Sequence, residues 1–291
     1  MSRYLLLVFV LGLMFVSPTR AAEPPTKEAL DQVVKLINEH AEAMKKEDYD
    51  KAEEHATALI KLGTEGPAVT YNRRAYTYLA RDKFAAAAAD LAEAQKVFST
   101  PDRINFLGTI RYQAGQLIEA LADFDRAIKL EPRLEAGHWQ RGIVYYDLGQ
   151  WENGRKQFEQ YQGVDDNDVE NVVWRAMCMA RDPKFGWEKA AGDLWKVKHD
   201  RRVPLMVVHQ LFADKATEAD VLKAVDEGNP GEAELLSRRF YAHLYLGLYH
   251  EVRGNKTEAL KHLELASGKY KLPGYMAEVA RVHVGLLKEK K

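Results

Sequence analysis

The chain has 291 residues, and 46% of them are hydrophobic, which supplies a continuous core and excludes a disordered chain. Its 42 basic and 43 acidic residues nearly cancel, to a net charge of −1, so the basic excess of a nucleic-acid-binding surface is absent. A single cysteine, Cys178, excludes an internal disulfide.

The chain opens with Arg3, an apolar run from Leu5 to Val16, then Pro18, Ala21 and Ala22. This is the layout of a secretory signal peptide over residues 1–21, with cleavage expected after Ala21. As a helix the run would cover about 18 Å, short of the ~30 Å of a bilayer core. The alternative is an anchor that is kept. No cysteine adjoins the cleavage position to carry a lipid, so the expectation is a soluble exported protein, periplasmic or secreted, without an integral membrane span.

Residues 22–67 read as a degenerate N-terminal repeat or cap. Leu30, Val33, Val34, Ile37, Ala41 and Met44 share one face of a helix over Lys27–Lys45. Asp48-Tyr49-Asp50 turns the chain into a second helix, with Ala52, Ala56 and Leu59 inward. Gly66-Pro67 breaks the pattern, and residues 68–168 then form three better repeats. Gly108 and Gly142 hold equivalent places, 34 residues apart, as do Gly115 and Gly149, and Phe124 and Phe158. In the first of the three, Ala75 stands where the later glycines do, with Tyr78, Phe84, Ala87, Leu91 and Ala94 in step. Small residues let paired helices approach, a large aromatic fills the gap to the next unit, and Pro132 stops a helix. The third repeat departs at Gly154 and Asp166. A period of 34 with these residues resembles the tetratricopeptide repeat (TPR), a helix–turn–helix unit, and predicts an all-α solenoid.

Residues 169–239 fit less well. Trp174, Cys178, Trp187, Ala190 and Leu194 can be laid on a fourth repeat, which gives Cys178 a small-residue packing role in preference to a reactive one. From His199 the period is lost. An apolar helix is expected within Val203–Phe212, and Thr217-Glu218-Ala219-Asp220 reads as a capping box opening a short helix. Residues 240–291 restore the pattern through Leu246, Gly247, Gly254, Ala259, Leu263 and Ala266. A final helix, apolar at Met276, Val279, Ala280 and Val284, should cap the array.

No catalytic motif emerges: HExxH, GxxxxGK and GxSxG are all absent, so the chain is read as a non-enzyme without cofactor or metal. Asp165–Asp168 lacks the alternate ligands, central Gly and closing Glu of a calcium loop and reads as a solvated linker. His243, His250 and His262 could share a face and bind metal, but packed or exposed histidines are the ordinary reading. The Arg pairs at 73–74, 201–202 and 238–239 read as helix-surface charge. The candidate binding surface is the concave groove, lined by Asn72 and Tyr76, by Asn105, Thr109 and Tyr112, and by Trp139, Ile143 and Tyr146. Aromatics mixed with amides suit a protein or peptide partner. The alternative is that some of these side chains pack between repeats. A second alternative is a periplasmic ligand- or metal-binding protein, or an enzyme, using the irregular region 199–236.

The order of parts resembles the NlpI-type TPR lipoproteins of Gram-negative envelopes. The shared parts are a leader, central repeats containing FLGTIRYQAGQLIEALADFDRAIKLEP and HWQRGIVYYDLGQ, a less regular region, a separate terminal repeat RRFYAHLYLGLYHEVRGNKTEALKHLELA, and a last helix. That resemblance implies a homodimeric, non-catalytic envelope adaptor with envelope proteases or peptidoglycan hydrolases as partners. The missing lipid-attachment cysteine departs from the family, so membrane anchoring does not carry over. The Lys/Asn set with which some TPR domains clamp chaperone C-termini is also missing, which disfavours a cytosolic co-chaperone.

Overall fold

The computed structural model describes residues 26–289, so the expected leader over residues 1–21 lies outside the described residues. Among these there are fifteen α-helices and no strands. Four helix pairs come first: α1 (Lys27–Lys45) with α2 (Tyr49–Leu62), α3 (Pro67–Leu79) with α4 (Phe84–Gln95), α5 (Pro101–Gln113) with α6 (Leu117–Leu130), and α7 (Trp139–Asp147) with α8 (Trp151–Tyr161). Pro132, without an N–H, cannot extend α6, and a 3₁₀ turn at Pro132–Leu134 leads toward α7. The long α9 (Val169–Arg181) pairs with a short α10 (Gly186–Gly192). Then follow α11 (Leu205–Phe212), α12 (Glu218–Asp226), the pair α13 (Glu232–Val252) and α14 (Lys256–Ser267), and α15 (Tyr275–Glu289). The array is an all-α solenoid in which each helix packs mainly on its chain neighbours.

Local chemistry sets the boundaries. Thr26, Thr100 and Asn255 each accept a hydrogen bond from the backbone N–H three residues on, capping α1, α5 and α14. At α12 the capping box forms in both directions between Thr217 and Asp220. In each of the first four pairs the residue two places before the second helix is left-handed. Gly115 and Gly149 take φ of 78° and 73°, but Glu47 and Asp82 hold the same place at 58° and 53°. The first two turns therefore form without the glycine that marks the later ones, at a cost of about 1–2 kcal/mol each.

Close approach explains the periodic small residues. A Cβ on Gly108 would lie 2.7 Å from the Phe124 ring and 3.2 Å from the Ala120 carbonyl, and one on Gly142 would lie 2.7 Å from Phe158. Gly154, where the repeat favours Ala, is explained by the next unit: its Cβ would meet Cys178 Sγ at 2.8 Å. Cys178 is fully buried, and burial pushes its thiol well above the ordinary range, so its role is packing.

The last helix corrects an expectation. It does not only close the end of the stack on α14; it also folds back against α5. Ala277, Val279, Ala280, Val282 and Leu287 belong to the same buried cluster as Tyr112, Phe124, Ile143 and Trp174. The C-terminal and central repeats thus share one core.

Gly108→Ala should destabilise the protein by about 1–3 kcal/mol in urea unfolding, because Phe124 is fully buried and has nowhere to swing. Gly137→Ala, which meets nothing within 4 Å, should leave the midpoint unchanged. Equal midpoints for the two variants would contradict the close-packing account.

Candidate protein-binding groove

The inner helices α3, α5 and α7 carry the eight residues of the expected groove, but these do not form one open surface. Tyr112 and Ile143 are fully buried, and Tyr146 is nearly so. Trp139 is partly covered and meets the Tyr275 ring edge-on, with centroids 5.1 Å apart. Asn105 is occupied by His138, whose Nε2 lies 2.7 Å from Asn105 Oδ1. Asn72 and Thr109 are half-buried, while Tyr76 is 56% exposed and stacks loosely on Phe106.

The cover over the central groove is α15. Tyr275 stacks on Tyr112 at 5.1 Å with planes 14° apart. The Tyr112 hydroxyl donates to Asp147 Oδ2 at 3.0 Å. The other oxygen of Asp147 lies 3.0 Å from His283 Nε2, and Glu251 Oε2 lies 2.6 Å from His283 Nδ1. One imidazole on α15 is thus held between carboxylates at the C-terminal ends of α7 and α13. Its ring also stacks on Tyr146, with centroids 6.1 Å apart. Burial alone would lower the His283 pKa, but Glu251 and Asp147 together outweigh it and hold the pKa at about 10. Burial pushes the Tyr112 hydroxyl well above its usual range, so it stays a donor. Further along α15, Arg281 donates to the Gln113 carbonyl and lies over the Phe84 ring. Lys271, just before α15, binds Asp82 at 3.2 Å and Glu278 at 3.1 Å.

What stays open is the inner face of the first two pairs. Val34 on α1 and Val69 on α3 are 57% and 50% exposed. They stand 35 residues apart, the spacing that also separates Tyr49 from Phe84 and Ala52 from Ala87. They hold equivalent places on adjacent inner helices, and His40 and Thr77 join those helices with a 3.0 Å hydrogen bond. The sequence signal for this pair is their equivalence to each other, one turn before the groove positions of the central repeats.

The charged motifs are absorbed internally. Arg74 forms a bidentate pair with Asp90 at 2.7 and 2.8 Å. Arg202 gathers Asp168, Glu170 and Asp200, which ties the irregular segment to α9, and Tyr245 donates to Glu170 from α13. Arg238 pairs with Glu234. Asp168 caps α9, so the acidic run at 165–168 serves a helix start. Among the described residues, one group has a metal-ligating composition: Glu218, His250 and His262, each with a ligand atom within 4.8 Å of the others. No helix among the described residues is long and apolar enough to cross a membrane.

A family model for the TPR repeat matches residues 108–149. The fold is similar to the crystal structure of a tetratricopeptide repeat protein from Parabacteroides merdae. That similarity covers 89% of this chain and 99% of that one, at 14% identity and a TM-score of 0.54. The C-terminal part of a TPR repeat-containing protein from Cytophaga hutchinsonii aligns over 83% of this chain and 97% of its own, at 16% identity and a TM-score of 0.31. The repeat match and the first of these structures establish an all-α TPR fold.

The raised pKa of His283 sets a pH dependence. Its stabilisation is fully present below the unfolded value of about 6.5 and is lost as pH rises through about 10. Unfolding free energy should therefore fall by a few kcal/mol from pH 7 to pH 10. His283→Gln should already be about 3–5 kcal/mol less stable at pH 7 and should lack that slope, since it leaves two buried carboxylates without their cation. Parallel slopes in wild type and variant, measured by urea unfolding across pH, would contradict the assignment.

Proposed function

We propose that the chain is a non-catalytic scaffold that holds a protein or peptide segment on the N-terminal part of its inner face. The carrying observation is the exposure of Val34, Val69 and Tyr76 on inner helices of a TPR array whose central groove is closed by α15. Large apolar side chains open to water on repeat-equivalent positions favour a partner with apolar anchors. The neighbouring Asn72 amide adds hydrogen bonding to an extended backbone. Tyr76 supplies a rigid aromatic at low entropic cost, the commonest kind of interface anchor.

The signal-peptide layout expected over residues 1–21 and the order of repeats favour a role in the cell envelope after export. Envelope proteases and peptidoglycan hydrolases are the partner classes that the NlpI-type resemblance favours. A second copy of the chain is the other occupant to be tested.

Capture from a cell-envelope extract, compared between wild type and the Val69→Ser/Tyr76→Ala pair, should show at least about tenfold less of a defined partner with the variant. Trp139→Ala, under α15, should bind like wild type unless it loosens the fold. Equal recovery with Val69→Ser/Tyr76→Ala would reject the open-face assignment. N-terminal sequencing of the envelope protein should begin at Ala22; an intact Met1 start would reject cleavage.

A further inference from the structure

Three histidines of the terminal repeat meet one glutamate from the irregular region. His243 and His250 lie two helical turns apart on α13, His262 lies on α14, and Glu218 opens α12. His250 Nε2 is 2.9 Å from Glu218 Oε2, and His262 Nε2 is 3.2 Å from Glu218 Oε1. The Nδ1 atoms of His262 and His243 are 2.8 Å apart, and His243 stacks flat on Tyr270 with centroids at 5.1 Å. Nothing in the binding of a protein segment by the N-terminal pairs calls for this cluster.

We propose that Glu218, His250 and His262 form a binding site for a divalent cation of the zinc class, with His243 positioning His262. Two imidazoles and one carboxylate are the donor set of open zinc sites, which leave a fourth position to solvent or another ligand. Bonds of about 2.0–2.2 Å in a tetrahedron set donor atoms roughly 3.3 Å apart. The two imidazoles meet different oxygens of Glu218, at 2.9 and 3.2 Å, and one ligand atom from each of the three residues lies within 4.8 Å of the other two, so a small contraction reaches that spacing. The donors stand on three different helices, so packing, not a loop, fixes their geometry. His262 is buried at the inner side, while the His250 and Glu218 side chains keep 15% and 34% exposure and give the cation its way in.

When His262 Nε2 binds a cation, its proton sits on Nδ1 and donates to His243 Nδ1, which carries its own proton on Nε2. The reverse arrangement holds when Nε2 donates to Glu218. A neutral His–His pair accommodates either polarity, which is the positioning part that a ligand's outer partner performs. The cation would pin α12 to the α13–α14 pair, where the repeat pattern itself is lost.

The test is titration of the chelator-treated full chain with zinc chloride by calorimetry, and with cobalt by visible absorption. Wild type should bind one ion per chain, with the intense visible band of four-coordinate cobalt, and its melting temperature should rise with zinc. His250→Ala and His262→Ala should abolish the site, and Glu218→Gln, which keeps the volume but replaces one acceptor oxygen with a donating amide, should weaken it at least about tenfold. His243→Ala should weaken zinc binding by about 10–100-fold without abolishing it. His199→Ala, at an exposed position outside the cluster, should behave as wild type. If His262→Ala fails to fold in chelator, Glu218→Gln and His250→Ala decide. No stoichiometric binding by wild type, or unchanged binding by Glu218→Gln and His250→Ala, would overturn the proposal.

Discussion

A buried imidazolium between two carboxylates organises the C-terminal part of this molecule. His283, Asp147 and Glu251 come from three separated helices, and their side chains are almost wholly out of water. An isolated charge would be costly there; the imidazolium offsets both carboxylates, and together they outweigh its own desolvation. Tyr112 adds a hydroxyl to the remaining oxygen of Asp147, so the aromatic floor of the groove joins the same network. The arrangement fixes α15 in position and orientation, since a one-turn slip would leave two carboxylates facing apolar side chains.

An ideal repeat array is one-dimensional: each unit touches its neighbours, and the groove stays open along its length. Here α15 returns to the central units and makes that stretch a closed core. Two regions of different character result. The central and terminal repeats share continuous packing through Trp174, Tyr245 and α15. The first two pairs keep the ordinary open form, with apolar side chains in water on their inner face. On the proposed function, a partner that needs an accessible groove would use the second region, with the first as its rigid mount.

Much of the fold was legible because its determinants are local. Gly108 and Phe124, or Gly142 and Phe158, lie 16 residues apart, inside one helix pair, so spacing alone revealed who faces whom. Even Gly154 and Cys178, which broke or bent the pattern separately, explain each other through one contact between adjacent units. The turns at Glu47 and Asp82 were harder, because the backbone tolerates a left-handed residue that is not glycine when neighbouring helices hold it. The cover over the central part of the groove was not legible for a reason of range. Nothing near Tyr112 announces Tyr275, and nothing near Asp147 announces His283, which follows 136 residues later. An inner-face aromatic that binds a partner and one that binds the chain's own last helix look alike in sequence. The histidines of α13 and α14 were visible as neighbours, whereas Glu218, which converts them into a donor set, comes from the stretch without a period.

The hold of α15 on the central repeats depends on the charge state of His283, and NMR of the imidazole nitrogens in uniformly ¹⁵N-labelled protein measures it directly. At pH 8 the account predicts that both ring nitrogens of His283 carry protons, with shifts that do not move between pH 5 and 8, because the pKa is held at about 10. A ring that is neutral at pH 8, or that titrates near the free-histidine value of about 6.5, would contradict the imidazolium held between Asp147 and Glu251.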